Sequence, residues 1–156
     1  MNGVTELKNL LRQKTWDKEV VLWLGSDAAL KNELIPYNVQ ELDILDLFDP
    51  NNLPSNDEEA SDNLKTSLRK YLQGLQPSAR SKIVLVVRSG GLLARYNLGL
   101  KSFYDWFCSD FGMVIIRLVR GADRMAWPSA VVFDDDRLYD YFTGIDMCSR
   151  VITDKG

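Results

Sequence analysis

The 156-residue chain is 46% hydrophobic and 26% charged, with a formal net charge of −3, a composition that suits one globular domain with a buried core and leaves two domains cramped. It contains no histidine and only two cysteines, Cys108 and Cys148, which excludes the usual general base, the Ser-His and Cys-His nucleophile pairs and a Cys/His zinc site. Its apolar runs fall far short of the ~20 residues that cross a bilayer, and its N-terminus lacks a signal peptide's apolar block, so the sequence predicts a cytoplasmic chain with both thiols in its core.

Thr5 is placed to cap a first helix whose Leu7, Leu10 and Leu11 share one face. The continuous apolar run from Val20 to Leu24, closed by Gly25, predicts a central strand covered on both sides. Ser26 or Asp27 then caps a short helix over Ala28 to Leu34, before Pro36. Leu42 to Leu47 reads as a second strand, nearer an edge because it carries Asp43 and Asp46. The stretch 49–62, rich in Asp, Glu, Asn and Pro without an apolar period, predicts a mobile acidic loop.

Leu64, Leu68, Tyr71, Leu72 and Leu75 follow at helical spacing, and Pro77 ends the pattern. Ile83 to Val87 is the strongest strand, expected at the sheet centre. After Arg88-Ser89-Gly90-Gly91, an amphipathic helix through Leu100, Phe103, Tyr104, Phe107 and Phe111 is expected to stop at Gly112. Val114 to Val119 forms another strand. A short strand at Ala130 to Phe133, a helix at Leu138 to Phe142 and a last strand at Cys148 to Ile152 complete the pattern. Strands alternating with helices imply right-handed crossovers, and so a three-layer α/β domain with a mainly parallel sheet spanning residues 1–156.

Charge is divided unevenly: residues 1–79 hold 8 Lys+Arg against 13 Asp+Glu, and residues 80–156 hold 11 against 9. Arg88, Arg95, Arg117, Arg120 and Arg124 concentrate in the basic part, with the aromatic groups Trp106 and Trp127 close by in sequence. Arginine and aromatic rings are the composition of a protein-binding hot spot and equally of a nucleic-acid-binding patch. Both partner classes fit, as does self-association; a membrane does not.

Gly25-Ser26-Asp27-Ala28-Ala29-Leu30-Lys31-Asn32 stands where a phosphate-binding loop follows its strand. It keeps the first glycine, Gly25, and the lysine, Lys31, but Leu30 replaces the second glycine and Asn32 the magnesium-binding hydroxyl. Arg88 stands where an apolar strand would supply the metal's carboxylate, and a guanidinium cannot ligate magnesium. Gly25, Ser26, Lys31 and Asn32 thus make a degenerate nucleotide site, for which ATP or GTP is the candidate ligand, with no resident cofactor or metal and no catalytic residue. Asp134-Asp135-Asp136 fits helix capping better than metal binding, because adjacent carboxylates point in different directions.

The order of these features, from the N-terminal helix through the Gly25 loop to the strands at Ile83 and Val114, resembles small P-loop-like accessory proteins of bacteriophage-exclusion (BREX) defence systems over residues 5–120. The resemblance implies a degenerate P-loop NTPase-like fold, service inside a multiprotein antiviral assembly and a nucleotide at the degenerate loop; the missing histidine, the lost glycine and hydroxyl of that loop and Arg88 point by elimination to a non-catalytic regulatory or scaffolding subunit that binds protein.

Overall fold

Three apolar runs that cannot reach water on either side become the interior of a five-stranded, all-parallel sheet. They are β1 (Val20–Trp23), β3 (Ile83–Arg88) and β4 (Gly112–Arg117). The edges are β2 (Val39–Asp43) and β5 (Arg150–Ile152), and the order is β2-β3-β4-β1-β5. The centre therefore belongs to β4, with β3 one place out, because β3 lends its other side to β2. The computed structural model describes residues 3–49, 51, 54–118, 139–145 and 148–153; the strand expected at Ala130 to Phe133 and residue 138 of the expected helix lie outside them.

Strand side chains alternate between two cores. On one face Val21, Trp23, Val84, Val86, Met113 and Ile115 meet α1 (Gly3–Leu11) and α2 (Asp27–Leu34). On the other, Val20, Leu22, Leu85, Val87, Val114 and Ile116 meet α3 (Asp57–Leu75), α4 (Gly91–Arg95), α5 (Lys101–Trp106) and a π-helical turn at Tyr141–Ile145. The result is the expected three-layer α/β arrangement. Among the described residues, no helix is long and apolar enough to cross a membrane.

Several boundaries differ from the sequence expectation, each for a local reason. Thr5 lies inside α1, which already begins at Gly3. The second strand starts at Val39 and gives way to a 3-10 turn at Ile44–Leu47, which Asp43 caps by accepting a hydrogen bond from the Leu45 amide at 3.0 Å. The end of the acidic stretch is helical from Asp57: Asn56 accepts from the Glu59 amide at 2.8 Å, while Glu59 accepts from the Ser55 amide and hydroxyl. Three acids in that first turn complement the helix dipole. The helix expected through Leu100 to Phe111 ends at Trp106 as α5, and a separate α4 precedes it, set off because Asn97 and Gly99 take left-handed φ values of 54° and 64° and bury Leu98 and Leu100 between the two. Gly112 opens β4 instead of closing a helix.

Candidate functional site

Crossovers leave the carboxyl edge of the sheet in opposite directions at one place. The connection after β1 passes over the α2 face towards the β2 edge, whereas the π-helical turn before β5 lies on the opposite face. Open parallel sheets bind ligands at such a divergence, so the loop after β1 and the end of β4 form the position of interest.

The loop is built by local bonds. The Trp23 indole donates to the Ser26 carbonyl at 3.0 Å, the Ser26 hydroxyl accepts from the Ala29 amide at 3.1 Å, and the Leu24 amide donates to Ile152 O at 2.9 Å. Ser26 is thus the N-cap of α2, and Asp27 its first residue. Amides at a helix N-terminus, with Lys31 one turn on and Arg117 at the end of β4, would together attract an anion. The Asp27 carboxylate already fills that role: it lies 2.8 Å from an Arg117 nitrogen and 3.3 Å from Lys31 Nζ. Only 14% of the Arg117 side chain is exposed. Burial pushes the Asp27 pKa up, but the Lys31 hydrogen bond and the Arg117 charge together outweigh it, and the net direction is downward.

Gly25, Ser26 and Lys31 therefore share the loop, and Arg117 joins them through the register that pairs it with Trp23. Asn32 does not: it faces a separate cleft of about 250 Å³ beside Lys8 and Pro36. Lys31 and Asp27 instead border a cleft of about 320 Å³ lined by Val39 and the buried Val86 beside α2, at whose rim Ile35 is exposed. Arg88 is exposed at the end of β3, and its registered neighbour Asp43 is occupied as a cap.

The basic segment does not assemble as one patch. The Arg95 side chain is 1% exposed, 3.5 Å from Asp57 and 5.0 Å from the centre of the Tyr96 ring, where it ties α4 to the start of α3. Arg95 and Arg117 are both engaged with carboxylates; Arg88 follows Val87, whose register partner is Ile116, and so stands beside Arg117 at the carboxyl end of the sheet, whereas Arg95 belongs to α4 on one covering layer. Arg120, Arg124, Trp127 and Asp134 to Asp136 lie outside the described residues. Trp106, the last residue of α5, is 44% exposed, while Phe103 and Phe107 are buried.

Beside Trp106 the fold assembles a groove of about 320 Å³ in which Lys65 and Arg69 of α3 and Lys101 of α5 outnumber one acid, Asp105. Sequence density pointed to residues 80–124 and missed two of these three cations, since α3 lies in the acidic half of the chain. The legible signal was the order of charges along that helix. Cys108 is buried with its thiol pushed up to about 12 by desolvation, and half-buried Cys148 is raised for the same reason; neither is a poised nucleophile. No protein-family model matches the chain, and no curated protein does.

Proposed function

We propose that this chain is a non-catalytic regulatory or scaffolding subunit of a multiprotein assembly and acts by binding protein. In this reading the loop from Gly25 to Lys31 is a vestigial phosphate cradle of a P-loop-like domain, and the assembly belongs to bacterial antiviral defence, as the resemblance to bacteriophage-exclusion accessory proteins implies. The observation that carries the proposal is the Asp27 carboxylate held between Lys31 and Arg117: an incoming phosphate would have to displace an anion that is already part of the chain. The exposed Arg88, where a metal-ligating acid would be needed for hydrolysis, supports the same reading. The half-exposed Trp106 beside three cations supplies an anchor of the kind found at protein-binding hot spots.

Calorimetry and phosphate release with ATP or GTP and magnesium test the proposal. The wild-type chain is expected to show no turnover and no binding heat, while Asp27→Ala gains affinity for inorganic pyrophosphate because Lys31 and Arg117 are released. Sustained turnover by the wild type that disappears in Lys31→Ala would overturn it.

A further inference from the structure

The exposed stripe of α3 separates its charges, acids towards the N-terminus and bases beyond them, an order that suits the helix dipole but sets like charges side by side. Glu58, Asp62, Lys65 and Arg69 are all exposed, and at 100° per residue they fall within one narrow arc of the helix surface. Along that arc the two acids come first and the two bases follow. Glu58 and Asp62 are four residues apart, as are Lys65 and Arg69, and like charges at that spacing repel in an isolated helix. Among the described residues none of the four is ion-paired, although Asp57 next to them is. The 19-residue helix is about 28 Å long, at 1.5 Å of rise per residue, and presents this stripe along much of it.

The pattern is its own complement. A two-fold axis crossing α3 between Asn63 and Leu64 lays a second α3 antiparallel on the first, with Glu58 opposite Arg69 of the second copy and Asp62 opposite Lys65 of the second copy. The symmetry repeats both pairs, so four opposite-charge pairs form and both like-charge repulsions are relieved. Closed two-fold pairing requires this self-complementarity of one patch. The groove beside the stripe fits the same partner. Lys101 and half-exposed Trp106 flank the basic half of α3, where the acidic half of the second copy's helix would lie. Lys101 then also meets acid, the three cations outweighing Asp105 in the same groove, and Trp106 gains apolar cover.

We infer that the chain forms a two-fold homodimer through antiparallel pairing of α3, with Lys101 and Trp106 of α5 completing the interface. This rests on the protein-binding reading above and names its first partner as a second copy of the chain.

Charge reversal in two halves tests it. Glu58→Lys with Asp62→Lys makes the stripe wholly basic, and Lys65→Glu with Arg69→Glu makes it wholly acidic. By sedimentation equilibrium the wild type is expected to be a dimer that weakens with salt. Each double variant alone should associate about a hundredfold more weakly or worse, and an equimolar mixture of the two should recover a one-to-one dimer. Recovery also shows that both variants are folded. A wild-type chain that stays monomeric at low salt overturns the pairing, as does a dimer that either variant leaves intact. Short oligo-dT bound by monomeric wild type and lost in the acidic variant would assign the groove to nucleic acid and also overturn it. None of these outcomes touches the nucleotide-turnover test, so the pairing can fail while the non-catalytic reading stands.

Discussion

Replacing Asp27 with alanine removes both ion pairs at the carboxyl edge of the sheet, and the two losses are unequal. Lys31 is well exposed, and a helical pair of that kind contributes about 0.3–0.5 kcal/mol. The Arg117 contact at 2.8 Å involves a mostly buried guanidinium, yet the Asp27 carboxylate is 40% exposed, so solvent screening holds its contribution to about 1–1.5 kcal/mol. Together they amount to about 1.3–2 kcal/mol, which for a domain of this length lowers Tm by about 3–8 °C. Thermal melts followed by circular dichroism at neutral pH and low salt would measure the difference. Its pH dependence has a defined sign. The Asp27 pKa in the folded chain lies below its ordinary value of 3.8, so the carboxylate's stabilisation is whole above that value and disappears as pH falls through the still lower folded value. The gap between wild type and Asp27→Ala should therefore be constant from neutral pH to mild acid and close in strong acid. Equal melting at neutral pH, or a gap that persists once the carboxyl is protonated, would refute the reasoning.

Arg150 holds the buried Glu19 carboxylate with Nε and an Nη, each at 2.7 Å. Arg150→Ala should cost about 2 kcal/mol in urea unfolding, less than a wholly buried pair would because the arginine is 38% exposed. A methyl group at Gly112 would sit 2.7 Å from Pro77 Cγ and 2.8 Å from the Phe107 carbonyl, so Gly112→Ala should lose about 1–3 kcal/mol through displacement of backbone, read from the same denaturation curves. Native thiol titration with a disulfide reagent at mildly alkaline pH should label Cys148 well before Cys108, whose thiol is buried and held near 12; equal rates in the folded chain would contradict the packing around Cys108. Trp106→Ala should change stability by no more than about 0.5 kcal/mol, as at an exposed site, while weakening association in sedimentation.

The sequence by itself determined the interior strands and the class of fold. Val20 to Trp23, Ile83 to Val87 and Met113 to Ile116 are uninterrupted apolar runs, and only a strand covered on both faces buries every residue of such a run. The i,i+4 spacing of Asp27 and Lys31 was equally local. Other features were set by interactions that no window of sequence contains. The edge strand β2 is half exposed, so its apolar pattern is diluted and its limits shifted. The acidic residues after Asn56 became helix because the cap at Asn56 and the Ser55–Glu59 bonds outweigh their lack of an apolar period. Arg117 stands 90 positions from Asp27, and only the strand order that sets β4 beside β1, in the register pairing Trp23 with Arg117, brings its charge to the loop. The basic groove likewise joins Lys65 and Arg69 to Lys101 and Trp106 because α3 and α5 cover neighbouring parts of one sheet face. Local spacing fixes what a segment can bury, whereas the packing of distant segments decides which charges meet.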